Sequence, residues 1–348
     1  MASAGDRQLI LVVGVGRSGT SALAGTLGQM GFRIPQPEVR ADDTNPRGFG
    51  EPRWVVDFHH RLLRERRVTV NDSRPGAWKS TYAAGRLAPV QDELRAWLAG
   101  EVDQAQSVVV KDPRTVWFLP LWTRCAGDLG VATASVTMLR HPAEIIASAK
   151  RSYGDWQSDA SRATAWLNVI LETEHATRAD TRAFVGYEQF LADWPGEVRR
   201  VGRLIGSRAM VAAERERLPE VDRFVDPTLH RNRVGWDALD VAPRVRDLAE
   251  AVWAQLQPLA AEGGATPAAL AALDESRAEY RSLYAEAEAI VQSSITAAKR
   301  RGPRGRAKAR AAPAPLKVRL ARRLPPRSRR RLRRAIRSLR RVARRPRS

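Results

Sequence analysis

The chain has 348 residues, 43% of them hydrophobic, enough for about two domains or for one large α/β domain with appendages. Its formal charge of +21 does not mark the folded part as a nucleic-acid binder: residues 299–348 hold 23 of the 59 Lys and Arg and no acid, leaving 36 basic against 38 acidic residues before them. A single cysteine, Cys125, excludes an internal disulfide and a thiolate zinc site.

The first element is an apolar run, LILVVGV at 9–15, which reads as a buried strand. It enters a glycine-containing turn, and a helix is expected to begin near Thr20. The segment EPRWVVDFHHRLLRERR then places Trp54, Val55, Phe58, Leu62 and Leu63 at helical spacing, and LAPVQDELRAWLAGEV does so with Leu87, Val90, Leu94, Trp97 and Leu98. Further strands are expected at 107–112 (SVVVKD), 133–139 (TASVTML) and 181–187 (TRAFVGY), separated by helical patterns. Strands alternating with helices predict a parallel sheet covered on both faces, an α/β, P-loop-like three-layer fold with ligands at the carboxyl ends of the strands. Residues 236–298 turn helical and Ala-rich, broken at GGATP (263–267). The expected organisation is therefore a domain over 1–298, with its core at 7–235 and an extension at 236–298, followed by a basic tail over 299–348. Within that tail Leu332, Ile336, Leu339 and Val342 form one helical stripe among arginines, a basic amphipathic element.

The loop after the first strand carries the most chemistry. A strand, a glycine turn and a helix start aim unsatisfied N–H groups and a positive helix end at one point, which suits phosphate or sulfate. The Walker pattern G-x-x-x-x-G-K-[ST] fails at one position: Gly14 and Gly19 are correctly spaced, but Thr20 stands where lysine is required, before Ser21. The basic residue sits inside the loop instead, at Arg17. The dinucleotide pattern is nominally met by Gly14, Gly16 and Gly19, yet no acidic residue closes a second strand about 20 residues on.

The stretch GRSGTSAL resembles the 5′-phosphosulfate loop of sulfotransferases, which use 3′-phosphoadenosine 5′-phosphosulfate (PAPS). Two further elements carry the resemblance: an arginine at a strand end with a serine eight residues later, matched by Arg140 and Ser148 in LRHPAEIIASAKRS, and a Tyr-Glu pair, matched by Tyr187 and Glu188. The resemblance implies that Gly16, Arg17, Ser18, Gly19, Thr20 and Ser21 hold the 5′-phosphosulfate, that Arg140 and Ser148 clamp the 3′-phosphate, and that Tyr187 lies near the nucleotide. It implies PAPS as co-substrate, no metal, and a hydroxyl of a glycan, glycolipid or small molecule as acceptor, in a carbohydrate- or tyrosyl-protein-like branch.

Sulfuryl transfer is in-line movement of a charged group, so positioning and charge stabilisation dominate, and a base must take the acceptor proton. Arg17 is the expected stabiliser. Glu51, in NPRGFGEPRWVV at the start of the expected helix, is the first candidate base, with Asp112, His59 and His60 as rivals. In VVVKDPRTVWFLP, Lys111 is a candidate for stabilising the sulfuryl group, Asp112 for orienting Lys111 or pairing with Arg114. Cytosolic sulfotransferases carry a catalytic histidine at this place, and this chain does not. The basic segment HRNRVG (230–235) loosely matches a late cofactor loop.

Two other readings stand at this point. A P-loop kinase or NTPase would use Asp112 as a metal-holding acid, and a nucleic-acid-binding protein would act through the tail, which contains no aromatic residue for stacking. An anionic membrane surface is the partner favoured for that tail. No apolar run reaches the ~18 residues of a membrane span and no secretory signal is evident, so the expected location is cytoplasmic, peripheral at the inner membrane face. The helical parts at 40–105 and 150–180 are expected to wall the acceptor site, with Trp54, Trp78, Trp156 and Trp166 divided between that wall and the core.

Overall fold

The computed structural model describes residues 7–45, 47–213, 218–225, 234–261 and 265–300. Four parallel strands, β1 (Gln8–Val13), β2 (Ser107–Lys111), β3 (Ala132–Leu139) and β4 (Thr181–Gly186), form one sheet in the order β2-β1-β3-β4. All four expected strands are present. β1 lies at the centre: Leu9 pairs with Val108 on one side and with Thr133 on the other. Its residues Leu9 to Val13 are wholly buried, because both faces of the sheet are covered.

The period of two along β1 sorts its side chains between two cores. Leu9, Leu11 and Val13 face a cluster with Phe58, Leu94, Trp117, Trp122, Trp166 and Leu248, while Ile10 and Val12 face a second with Leu23, Leu27, Phe190, Trp194 and Val201. At roughly 1.5–3 kcal/mol per fully buried aliphatic side chain, this double coverage anchors the strand whose end carries the glycine loop.

The helices follow in chain order: α1 (Thr20–Gln29), α2 (Arg53–Glu65), α3 (Ala77–Gly85), α4 (Ala88–Val102), α5 (Leu119–Asp128), α6 (Pro142–Tyr153), α7 (Asp159–Ala176), α8 (Tyr187–Ala192), α9 (Trp194–Ile205), α10 (Arg208–Val211), α11 (Pro219–Phe224), α12 (Pro243–Leu256) and α13 (Pro267–Arg300). α1, α8, α9 and α11 supply the Ile10/Val12 face, and α2, α4, α5, α7 and α12 the other. α1 starts at Thr20, as expected. On α4 the expected apolar stripe holds except at Leu87, which is the N-cap residue and 46% exposed.

The connections place the site. The chain leaves β1 for β2 on one side and then crosses to β3 on the other, so the carboxyl ends of β1 and β3 flank a topological switch point. The loop at 14–19 follows β1, and Arg140 follows β3. The helix after Arg140 has defined ends: α6 has Pro142 in its first turn, the His141 ring accepting from the Ala143 amide, Glu144 near the positive end, Lys150 and Arg151 near the negative end, and Gly154 at φ +76° as its stop.

By contact the chain separates into two units, Met1–Glu286 and Ala287–Ser348. The first contains all four strands. The tail from 301 onward, with its Leu332/Ile336/Leu339/Val342 stripe, lies outside the described residues, as do 230–233 of the HRNRVG segment. No described helix is long and apolar enough to cross a membrane.

Candidate functional site

The loop after β1 has the backbone that its glycines allow. Gly14 sits at φ +141° and Gly19, the N-cap of α1, at φ +102°. A Cβ at Gly14 would come within 2.9 Å of the Met138 carbonyl oxygen, and one at Gly19 within 2.3 Å of the Tyr187 ring. Both positions therefore need glycine for space as well as for conformation. Gly16 meets no such limit, since a Cβ there would touch nothing within 4 Å. Between them Arg17 adopts φ +75°, a left-handed conformation that costs a non-glycine residue about 1–2 kcal/mol.

That strained arginine joins two parts of the chain. Arg17 Nε donates to Ser148 Oγ at 3.1 Å, across 131 positions of sequence. Arg140 Nη1 donates to the Arg17 carbonyl at 3.3 Å, and its guanidinium lies 4.7 Å from the centre of the Tyr187 ring. Loop, strand-end arginine, serine and tyrosine thus meet at the switch point. Ser148 lies in the middle of α6, and it is the two-turn reach from Arg140 that brings its hydroxyl to the loop. Glu188, the other half of the Tyr-Glu pair, is exposed in the first turn of α8.

Two neighbours have no counterpart in the sequence reading. Glu144 Oε2 accepts from Arg140 Nε at 2.9 Å, a pairing signalled by i,i+4 spacing but cut by the helix start at Pro142. Tyr153, half exposed at the end of α6, has its ring 5.9 Å from the Arg17 guanidinium. The Ser18 hydroxyl is buried and has no partner among the described residues. An unsatisfied buried hydroxyl costs about 1–3 kcal/mol, so Ser18 and the amides of the first turn of α1 form a cradle with hydrogen bonds to give.

On the other side of α1 stands an acid–base pair. Lys111, the last residue of β2, is buried, and its Nζ donates to Glu51 Oε1 at 2.6 Å and to Ser21 Oγ at 3.1 Å. Glu51 precedes α2, whose N-cap is Pro52, so its role is not that of an acidic residue in a first helical turn. A short antiparallel pairing holds it: the Val39 amide donates to the Glu51 carbonyl at 2.8 Å, and Arg53 N to the Pro37 carbonyl at 2.8 Å. Oε1 is fixed by Lys111, while Oε2 has no partner among the described residues and the side chain retains 10% exposure. One oxygen is anchored and the other is presented.

Two of the rival bases are spent elsewhere. His59 is fully buried, stacked on Phe118, with its Nε2 accepting from the Trp122 indole at 2.9 Å and its Nδ1 donating to Asp112 Oδ2 at 2.7 Å. Burial pushes its pKa below the usual range against the pull of Asp112, so the ring is neutral with both nitrogens engaged. Asp112 is wholly buried; burial alone would raise its carboxyl, but the bond from His59 together with Arg114 holds it below the usual range. Arg114 donates to its other oxygen at 2.7 Å. Asp112 therefore pins the turn after β2 and does not orient Lys111, which pairs with Glu51 instead. His60, one residue along, is exposed.

The tryptophans divide clearly. Trp78 and Trp166 are core residues, Trp78 stacking on Trp117 with centroids 3.7 Å apart. Trp54 stacks between Phe58 and Trp97 against the core. Trp156 alone of the four is at the surface, 74% exposed.

No family model matches the chain, and no curated protein matches it. Among solved structures, the sulfotransferase domain of the olefin synthase of Synechococcus PCC 7002 is similar, at 18% identity and a TM-score of 0.41, over 70% of this chain and 94% of that one.

Proposed function

We propose that this protein is a sulfotransferase that moves a sulfuryl group from PAPS to an acceptor hydroxyl. The observation that carries this reading is the Arg17–Ser148 hydrogen bond of 3.1 Å, which joins the glycine loop to the Arg140 element. A nucleotide with phosphates at both its 5′ and 3′ positions calls for two anion sites side by side. The loop with Arg17 and Ser18 serves the first, and Arg140 with Ser148 the second, through charge-assisted bonds.

In this reading Glu51 Oε2 takes the hydroxyl proton while Lys111 holds Oε1. The bond from acceptor oxygen to sulfur forms, the bond from sulfur to the 5′-phosphate oxygen breaks, and the electron pair stays on adenosine 3′,5′-bisphosphate. Arg17 stabilises the charge that builds there. The kinase reading loses its support, since Asp112, its proposed metal-holding acid, has both oxygens committed to His59 and Arg114. Calorimetric titration tests the choice: adenosine 3′,5′-bisphosphate without metal should bind one to one, and MgATP should bind far more weakly. Preferential binding of MgATP would reverse the assignment.

A further inference from the structure

The lysine–glutamate pair is next to a cavity. About 620 Å³ in volume, it runs along α1 from Ser21, past Gly25 and Gly28, to Gln29 and Gln104, with the loop at Gly48 and Gly50 as another wall. Its Ser21 end adjoins the pair twice over: Ser21 Oγ accepts from Lys111 Nζ, and Gly50 is bonded directly to Glu51. Gly50 is buried at φ +64°, and a Cβ there would press to 3.1 Å on the Ala24 Cβ, so only glycine fits in the cavity wall next to Glu51.

We propose that this cavity is the acceptor site and that it takes a neutral sugar. This rests on the sulfotransferase reading above for its reaction, and on the lining for its chemistry. The charges around it balance: Arg33 is paired with Glu101 at 2.7 Å, and Arg47 and Glu38 offset each other in sign. A polyanionic acceptor needs a surplus of cations, and the lining has none among the described residues once Glu101 is counted with Arg33. A lipid or alkyl acceptor needs a continuous apolar wall, whereas here Gln29, Gln36, Gln104 and glycine backbone interrupt the apolar surface of Phe32, Ile34 and Phe224. Gln36 Nε2 donates to Glu38 Oε1 and to the Ile34 carbonyl, and Gln104 Nε2 to the Gly100 carbonyl, so these two amides offer their oxygens as acceptors to ring hydroxyls. Phe224 closes this wall, its ring edge packed on Gly25 and the Arg47 guanidinium 5.9 Å from its centre. The volume lies within the range of small-molecule sites and is enough for one or two sugar rings. Of the segments expected to wall the acceptor, 40–105 contributes and 150–180 does not.

The test uses Gln36→Trp and Gln104→Trp, both at exposed positions on the cavity wall, singly and combined. Saturation-transfer NMR with cellobiose and maltose, without nucleotide, should give a signal on the wild-type chain that falls at least fivefold in the combined variant. Labelled sulfuryl transfer to the same sugars should show KM raised at least tenfold, with kcat and the affinity for adenosine 3′,5′-bisphosphate within threefold. Equal NMR signals in wild type and variant overturn the site. Transfer to p-nitrophenol or 1-decanol but to neither sugar overturns the acceptor class. If adenosine 3′,5′-bisphosphate fails to bind the wild-type chain, the sulfotransferase reading falls, and the NMR comparison still decides the cavity on its own.

Discussion

Replacing Glu51 by Gln separates its chemical role from its structural one. Lys111 and Glu51 lie 2.6 Å apart with side chains 3% and 10% exposed, so the substitution leaves an ammonium group buried without its counter-charge. Breaking such a pair costs about 3–5 kcal/mol. The 286-residue unit that contains it should unfold with an entropy near 0.6 kcal/mol/K, from about 2.1 cal/mol/K per residue, so Tm should fall by roughly 5–8 °C in scanning calorimetry. Adding Lys111→Met removes the stranded charge and should recover most of that loss. Activity should behave differently: loss of a general base lowers kcat by about 10²–10⁴, and the double variant should remain as slow as Glu51→Gln. A Glu51→Gln protein with near-native kcat, or a double variant that regains rate along with stability, would refute the assignment of the base.

Three other predictions concern the cofactor arginines, His59 and the basic tail. Arg17→Ala should abolish transfer in the radiolabel assay, whereas Arg140→Ala should chiefly weaken adenosine 3′,5′-bisphosphate binding, by about 10- to 150-fold for the loss of a charged hydrogen bond worth roughly 1.5–3 kcal/mol. His59 is held neutral by burial, with a folded pKa below its unfolded value of 6.5; its contribution is complete above that value and is lost as pH falls below it. His59→Gln should therefore flatten the fall of Tm between pH 8 and 5 and leave kcat within a few-fold, and a hundredfold loss of kcat in a folded variant would return His59 to the chemistry. The full-length chain should pellet with anionic liposomes and a chain ending at Thr296 should not, with equal pelleting counting against membrane association of the basic tail.

The strands and the loop were legible in the sequence because their signals are local. LILVVGV is apolar on both of its faces, as a central parallel strand must be, and Gly14 and Gly19 mark positions where no side chain fits. Arg140 and Ser148 stand out only through the family resemblance whose eight-residue spacing they match. What sequence alone left open was partnership across the fold. Glu51, Asp112, His59 and His60 all read as candidate bases, since nothing local says that β2 turns Lys111 toward Glu51 and Asp112 toward His59. The same limit applied to the tryptophans: Trp54 and Trp156 look alike in sequence, yet one lies in an aromatic stack and the other at the surface. Glu144 is not legible as the partner of Arg140, because Pro142 interrupts the helical spacing that joins them.

The most direct measurement is calorimetric titration of the wild-type chain and Arg140→Ala with adenosine 3′,5′-bisphosphate in the presence of a chelator, with MgATP in a parallel cell. Two anion sites joined through Arg17 and Ser148 predict metal-independent, one-to-one binding of the bisphosphate that weakens at least tenfold in the variant. Binding of MgATP with no heat from the bisphosphate would contradict the account at its centre.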